Sequence, residues 1–332
     1  MIENSSEEIL PFTSMPSSSL LMYAEILDRN KNDCSLSIYL VKDQFIKGND
    51  RPGNVIKTNS ESIAKEIIRC HKESKGKKAV VIPLSFRDKN GGTHANALVF
   101  NTLQMTAEHF EPHGLKDYSP SKKAWLELIG VNLGGAITQL NKEIKKLAKA
   151  EKLKEFSKGL KYLRPVDVCP NESMYKNFRG VQALDRSKKE EIQFEGFTIK
   201  EFGGYCDLWT YFLLELRLKT LDKPAQEVLK EYATYRDLYK ISIGSDPNKS
   251  MMRLIRGYSK VFFNSVRKLI NEGKFTLEEF ITYRNRNKIL KNWKNMTNAE
   301  RVSVNNNFYK IDEILFEEAS KMIVNVMKDA MK

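Results

Sequence analysis

The alternation of apolar and polar positions between residues 79 and 111 predicts a small sheet. Three runs have strand length and β-branched or aromatic content: Ala79–Phe86 (AVVIPLSF), Thr93–Asn101 (THANALVFN) and Met105–Glu111 (MTAEHFE). The turn after the first run ends in Asn90–Gly91, which is a strong hairpin signal. We therefore expect an antiparallel meander. Further strands are predicted at Leu36–Leu40 and Phe194–Ile199.

Helical patterns occupy most of the remaining chain, which makes the predicted fold class α+β. Residues Tyr205–Leu218 are apolar nearly all round, which predicts a buried central helix after Gly203–Gly204. The chain from Ser121 to about Tyr162 is predicted to be helical, and its part from residue 141 onward is amphipathic and lysine-rich. Other helices are expected at Leu20–Ile26, Ser60–His71, Ala225–Tyr235, Ser250–Asn271, at the capping box Thr276-x-x-Glu279, and from about Tyr309 to the C-terminus.

Composition limits the class of protein. The sequence has no apolar run of membrane-spanning length and no signal peptide, so we expect a cytoplasmic or nuclear protein without a transmembrane segment. The four cysteines are scattered, which predicts free thiols and no metal or other cofactor. The net charge of +13 allows nucleic acid or another polyanion as a partner through a basic surface. A lysine-rich surface without any such partner is the alternative interpretation.

Cys206 is the candidate nucleophile. A cysteine attacks as its thiolate, and a helix N-terminus and a neighbouring imidazole both lower the pKa of the thiol. Cys206 follows two glycines and opens the predicted central helix, whose first-turn N–H groups favour a negative charge. The other cysteines, Cys34, Cys70 and Cys169, lack this setting.

His94 and Glu111 are the candidate base and acid. His94 opens a predicted strand directly after a turn, and Glu111 ends the next predicted strand. Opposite residues on neighbouring antiparallel strands lie roughly 5 Å apart at Cβ, so a carboxylate there can orient the imidazole. His109 and His113 flank Glu111 and remain alternatives for the base, whereas His71 is expected in a solvated position.

Two pairs of motifs resemble a known group of enzymes. The stretches THANALVFN…EHFEPHG and GVQAL…GGYCDLWTYFLLELRLK, with RLIRGYSK after them, are similar to predicted cysteine peptidases of large eukaryotic DNA viruses. Those peptidases in turn resemble the ubiquitin-like-protein-specific proteases and the adenovirus proteases. The resemblance covers roughly residues 80 to 260. Ala95 stands where the SUMO proteases have Trp, and Glu111 where Asp is commoner.

The resemblance implies a papain-like core and a set of roles. His94 matches the general base, Glu111 the orienting acid, Gln182 the oxyanion donor and Cys206 the nucleophile. Trp209 is expected to be a core aromatic beneath the site. The substrate would be a ubiquitin-like modifier or a viral precursor protein, cut in the host cell or the virion.

The same resemblance implies a division of the chain. Residues 1–75 would be an N-terminal segment on the core, residues 76–260 the peptidase core with a helical insertion at 115–165, and residues 261–332 a helical extension. The insertion could form a lid or a substrate platform.

Two other functions fit the same residues. Bacterial effector acetyltransferases resemble the same clan and also use His, Glu and Cys, and the basic helix at Lys142–Lys161 could serve an anion there. A non-catalytic basic virion or nucleic-acid-binding protein with an inactive peptidase core is the third interpretation, which the net charge of +13 favours.

Overall fold

The structure is a computed structural model that describes residues 16–30, 37–38, 56–74, 79–87, 93–112, 120–168, 191–194, 197–200, 206–229, 231, 258, 264–284, 289 and 292–330. The helices are α1 (Pro16–Asn30), α2 (Ser60–Ser74), α3 (Pro120–Ala150), α4 (Pro165–Val168), α5 (Cys206–Leu218), α6 (Leu277–Arg284) and α7 (Asn298–Ala330). The strands are β1 (Ser37–Ile38), β2 (Ala79–Arg87), β3 (Thr93–Asn101), β4 (Thr106–Phe110), β5 (Lys161–Leu163), β6 (Glu191–Phe194) and β7 (Phe197–Lys200). The fold is thus mixed α and β and mostly helical. No helix within these ranges has the length and apolarity needed to cross a bilayer.

The chain divides into two compact units, each assembled from separate segments. The larger unit holds residues 30–188 and 204–255, and the smaller holds residues 1–29, 189–203 and 256–332. The boundaries predicted from the sequence lie after residues 75 and 260. The larger unit begins at residue 30 and ends at residue 255.

The larger unit contains a five-stranded sheet in the order β1-β2-β3-β4-β5. The predicted meander is confirmed, because β2, β3 and β4 pair antiparallel, and β3 has the predicted bounds. The edges depart from the predicted antiparallel sheet: β1 pairs in parallel with β2, and β5 with β4. β1 has two residues and β5 has three, which is too few for a periodic signal in the sequence.

One face of this sheet forms the main apolar core with α2 and α3. Leu98 and Phe100 of β3 are fully buried there, together with Ile63 and Ile67 of α2. Each aliphatic side chain of this size contributes about 1.5–3 kcal/mol when it is buried. The contribution of α3 is a stripe at helical spacing, formed by Leu133, Ala136, Ile137, Leu140, Ile144 and Ala148. α3 thus packs into the core along one face, and the predicted lid or substrate platform stays a prediction.

The predicted end of α3 near Tyr162 is wrong, because the helix ends at Ala150. Lys152 adopts a left-handed conformation with φ 59°, and the Leu153 N–H donates to the Ala148 carbonyl over 2.9 Å. Glycine usually occupies such a position after a helix. Because lysine occupies it here, the sequence carried no stop signal. A 3-10 turn and β5 follow.

Asn141 of α3 holds the chain that leads into β5. Its side-chain amide donates to the Leu160 carbonyl over 2.9 Å, and its oxygen accepts from the Leu160 N–H over 2.8 Å. Gly159 has φ 74°, and a Cβ at this position would lie 2.7 Å from the Asn141 amide carbon. Only glycine fits such a left-handed position beside a close neighbour. β5 is thereby tied to α3.

The other face of the sheet packs against α5. Glu108 pairs with Val99 in the register of β3 and β4, so its side chain lies on the face opposite Leu98. Arg217 of α5 reaches it there, with Nε donating to Oε2 over 2.6 Å and Nη2 to Oε1 over 2.9 Å. α5 therefore lies on the opposite face from α2 and α3.

Three hydrogen-bonded contacts fix the direction of α5. Thr210 near its start donates its hydroxyl proton to the Ala95 carbonyl over 3.2 Å. Arg217 near its end reaches Glu108, and the Asn101 amide donates to the Leu221 carbonyl over 2.9 Å. Since Ala95 is near the start of β3 and Asn101 is its last residue, α5 runs parallel to β3.

The smaller unit contains α1, α6, α7 and the hairpin of β6 and β7. The predicted strand at Phe194–Ile199 is in fact this hairpin. Tyr283 of α6 donates its hydroxyl proton to Asp312 Oδ1 of α7 over 2.6 Å. Tyr283 also meets Phe308 edge to face. These contacts pack α6 on α7.

A capping box begins each of the helices α6 and α7. The predicted box at α6 is confirmed, because Thr276 and Glu279 each accept from the other's backbone N–H, over 3.1 and 2.7 Å. A second box, Thr297 with Glu300, begins α7. The predicted start near Tyr309 is therefore wrong. Residues 225–229 and 264–271 are helical as predicted, and most of the rest of those two predicted helices lies outside the described residues.

We expect Arg217→Ala to lower the free energy of unfolding by about 3–5 kcal/mol, because it leaves the buried Glu108 carboxylate without its cation. Both side chains are 1% exposed. Denaturant unfolding of the full chain measures this loss. The double variant Glu108→Gln/Arg217→Met should recover most of it, since no charge then remains buried. The control is Lys65→Ala in the exposed pair with Glu61, which should change stability little; an equal loss in both single variants would contradict the prediction.

Candidate active site

The backbone brings three predicted site residues to one end of the larger unit's sheet. Cys206 is the first residue of α5, and His94 is the second residue of β3, where it pairs with Phe86. Glu111 directly follows β4. Because α5 runs parallel to β3 and β4 runs antiparallel to it, the helix start, the start of β3 and the end of β4 lie at the same end.

A hydrogen bond between Thr210 and Ala95 joins the two elements near this end. Thr210 lies one turn after Cys206, about 6 Å along the helix axis. Ala95 is the residue after His94. Cys206 thus lies one helical turn before the residue that donates this hydrogen bond, and His94 lies one residue before the residue that accepts it. The side chains of His94 and Cys206, and all of Gln182, lie outside the described residues, so their predicted roles stay predictions.

The surroundings of the α5 start are apolar. Leu208 and Trp209 are fully buried, and Trp209 meets Phe212 edge to face with ring centroids 5.9 Å apart. The prediction that Trp209 is a core aromatic is confirmed. The N-terminus of a thirteen-residue buried helix carries a partial positive charge, which stabilises an anion such as a thiolate.

The Glu111 carboxylate is held by Asn96. The Asn96 side-chain amide donates to Glu111 Oε2 over 2.9 Å and to the Ala95 carbonyl over 2.8 Å. Asn96 is 1% exposed, so this amide is removed from water. A hydrogen bond to a carboxylate from a buried donor fixes its orientation and favours its charged form.

His109 supports Asn96 from the core side. Its Nε2 lies 2.6 Å from Asn96 Oδ1, and its Nδ1 lies 3.2 Å from the Tyr162 hydroxyl. Because the Asn96 oxygen can only accept, Nε2 carries the proton, and Nδ1 lies within hydrogen-bond distance of the Tyr162 hydroxyl. Burial raises the pKa of Tyr162, which keeps this hydroxyl protonated. We call Tyr162, His109, Asn96 and Glu111 the Asn96 network.

His109 is not a competing base. The ring is 2% exposed and both of its nitrogens are engaged in the Asn96 network. A base for a thiol needs a nitrogen that can accept the thiol proton. His113, the other alternative, lies outside the described residues.

The Asn96 network and the body of α5 lie on opposite faces of the sheet. His109 pairs with Leu98, whose side chain points into the core with α2 and α3, and α5 contacts Glu108 on the other side. A triad therefore requires the His94 ring to stand at the end of β3, between the two faces. This differs from the simple cross-strand arrangement expected from the sequence.

Cys70 and His71, both in α2, have structural roles. Cys70 is a free, fully buried thiol in α2. His71 was expected to be solvated, which is wrong: its Nε2 lies 2.7 Å from Glu155 Oε1, and its ring meets Phe156 edge to face. His71 thus links α2 to the turn after α3. Among the described residues, no group of His, Cys, Asp or Glu could hold a metal ion.

A cleft of about 340 Å³ lies at the opposite end of α5. Its lining includes Thr106, Glu108 and Ala225. Because α5 has thirteen residues, its end is about 18 Å from Cys206 along the axis. This cleft is therefore separate from the candidate active site.

The residues that support Glu111 were not predicted from the sequence. Asn96 could have indicated a buried polar network, because it is a polar side chain inside the otherwise apolar run ANALVF. A polar residue at a buried strand position needs a hydrogen-bond partner. Its partners His109 and Glu111 follow only from the β3–β4 register.

We expect Asn96→Leu to lower the free energy of unfolding by about 1–3 kcal/mol, because it leaves the buried His109 N–H without an acceptor. Urea unfolding measures the loss. Asn295→Leu is the matched control: Asn295 is exposed and its amide contacts only Asn292 among the described side chains. Equal stability of the two variants would show that the Asn96 network contributes nothing to the fold.

Comparisons with known proteins place the chain in no established family. No family model and no solved structure matches it. A curated protein named "Putative ankyrin repeat protein L371", from Acanthamoeba polyphaga mimivirus, is 26% identical over 202 residues. That alignment covers 59% of this chain and 22% of the viral protein, so the chain spans about a fifth of that relative's length.

Proposed function

We propose that the chain is a thiol peptidase with a papain-like core that cuts peptide or isopeptide bonds. Cys206 is the nucleophile, His94 the general base and Glu111 the acid that orients it. The observation that supports this best is the Thr210–Ala95 hydrogen bond, because it joins the first turns of α5 to the start of β3. A nucleophile and its base must come within hydrogen-bond reach of each other.

The proposed reaction follows the acyl-transfer scheme of cysteine peptidases. The Cys206 thiol gives its proton to His94, and the thiolate attacks the scissile carbonyl. The tetrahedral oxyanion accepts hydrogen bonds from the Cys206 backbone N–H and the Gln182 side-chain amide. Collapse breaks the C–N bond, and His94 gives its proton to the leaving amine. Water then hydrolyses the thioester and frees the thiol.

The Asn96 network supports the role of Glu111. A carboxylate that orients an imidazole must be fixed and charged. The Asn96 amide donates to Glu111 over 2.9 Å. The Asn96 oxygen in turn contacts His109, whose other ring nitrogen contacts Tyr162. Asn96 and His109 in the middle of the network are buried, while Glu111 and Tyr162 at its two ends are partly exposed.

The proposed substrates are ubiquitin-like modifiers or viral precursor proteins, in the cytoplasm or nucleus of a host cell or in a virion. This rests on the resemblance of the motifs around His94 and Cys206. The mimivirus relative agrees with a viral setting, while its name mentions ankyrin repeats and no peptidase activity. By the same resemblance, a Gly–Gly-type tail is the proposed preference.

Ubiquitin and SUMO probes with C-terminal vinyl warheads test the proposal. We expect the full chain to form a covalent adduct at Cys206, identified by mass spectrometry of the digested adduct. Cys206→Ala should abolish the adduct. Cys70→Ala is the matched control and should keep it, because Cys70 is buried in α2.

Variants of the other triad positions test the mechanism. Glu111→Gln should lower kcat for a cleaved substrate by about 10²–10⁴-fold, because the amide orients the imidazole poorly. His94→Ala should abolish turnover. A Cys206→Ala variant that still cleaves or still forms the adduct would refute the proposal. Transfer of acetyl from acetyl-CoA to a protein, without hydrolysis, would replace it with the acetyltransferase function.

A further inference from the structure

Positive charge is concentrated in one short part of the larger unit. Residues 142–161 contain eight lysines and three glutamates, a net of +5, in a chain of 332 residues with a net charge of +13. The segment covers the last nine residues of α3, the 3-10 turn after it and the first residue of β5. The segment therefore carries five of the thirteen excess positive charges.

Four of these lysines form one stripe on α3. Lys142, Lys145, Lys146 and Lys149 are spaced i, i+3, i+4 and i+7, so they share a face of the helix. All four are exposed, whereas Ile144 and Ala148 on the opposite face are buried in the core. The stripe is about 10.5 Å long. We call these four residues the lysine stripe.

The nearby carboxylates are engaged elsewhere. Glu151 lies 2.7 Å from Lys72, and Glu155 lies 2.7 Å from His71. On α2, Glu66 and Glu73 both contact Arg69. Within the described ranges, no carboxylate comes within ion-pair distance of the lysine stripe. Glu61 of α2 interacts coulombically with Lys146, but its ion pair is with Lys65 over 2.6 Å, so the charge of the stripe is only partly offset inside the protein.

We propose that the lysine stripe binds the phosphate backbone of double-stranded nucleic acid without sequence preference. A duplex carries one negative charge per about 1.7 Å of axis when both strands are counted, so about six phosphates lie within 10.5 Å of axis, more than the four lysines can contact. Lysine binds phosphate as a point charge, and it lacks the fork with which arginine reads guanine. Four lysines with no arginine among them therefore favour contacts to the backbone over readout of the bases.

The burial pattern argues against a membrane surface as the partner. A helix that lies on a bilayer inserts an exposed apolar face. The apolar face of α3 is packed in the core. The exposed large apolar side chains of the described larger unit are Leu103, Val131 and Val166, and none of them lies within residues 142–161.

Fluorescence anisotropy with a labelled duplex of about 24 base pairs, between 50 and 200 mM salt, tests the proposal. The variant carries Lys142→Gln, Lys145→Gln, Lys146→Gln and Lys149→Gln in the full chain. We expect binding to weaken about tenfold or more at the lowest salt. The slope of log K against log salt should fall in magnitude by about 3–4, because up to four phosphate contacts are lost.

A control variant with the same change of net charge carries Lys57→Gln, Lys219→Gln, Lys274→Gln and Lys294→Gln. These lysines are also exposed, and thermal unfolding verifies that both variants fold. The control should keep the affinity and the slope. The proposal would be overturned if both variants lost the same affinity for the duplex, or if the stripe variant kept the slope of log K against log salt.

Two competitors distinguish other partners. Poly-glutamate at equal charge should displace the duplex poorly, and vesicles with anionic lipid should not bind the chain through the stripe. If poly-glutamate displaces the labelled duplex as effectively as unlabelled duplex does, the proposal is overturned and an acidic protein is the better partner. Vesicle binding that the stripe variant loses, with duplex binding unchanged, would overturn it in favour of a membrane.

Discussion

The buried ion pair between Glu108 and Arg217 determines where α5 lies on the sheet. Removing two charges from water costs several kcal/mol per ion, and only good geometry with further hydrogen bonds offsets this cost. Here the pair is bidentate, Thr106 also donates to Glu108 over 2.7 Å, and Arg217 reaches the Thr220 carbonyl. A slip of α5 by one turn would move Arg217 about 5.4 Å and leave both charges unpaired. The pair thus selects one position of the helix along β3.

Apolar packing alone would not select that position. α5 is apolar nearly all round, and Leu208, Leu213 and Leu214 are interchangeable in size and chemistry. Cores tolerate rearrangement of similar aliphatic side chains at small cost. The polar contacts at the two ends, Thr210 to Ala95 and Asn101 to Leu221, add to the ion pair and fix the same register. Cys206 is consequently held at the end of β3 where His94 lies.

Local patterns predicted the elements of the fold better than their long-range pairing. The Asn90–Gly91 turn and the apolar runs predicted β2, β3, β4 and α5 because each signal lies within a few residues. β5 and the end of α3 were missed, since Lys152 takes a conformation that glycine usually signals, and β5 is stabilised by β4 and by Asn141, far away in sequence. For the site, backbone positions followed from the sequence, but the support of Glu111 did not. That support depends on the register that brings Asn96 beside His109.

α3 connects the two functional hypotheses through its opposite faces. Its buried face carries Ile144, and Asn141 beside that face is hydrogen-bonded to the chain leading into β5. Tyr162 of β5 contacts His109, which in turn contacts Asn96 of the network around Glu111. The exposed face of α3 carries the lysine stripe, directed away from the sheet. A polyanion bound to the stripe would therefore not cover the end of β3, because the whole core layer lies between them. The proposed nucleic-acid contact can localise the proposed peptidase without blocking its substrate.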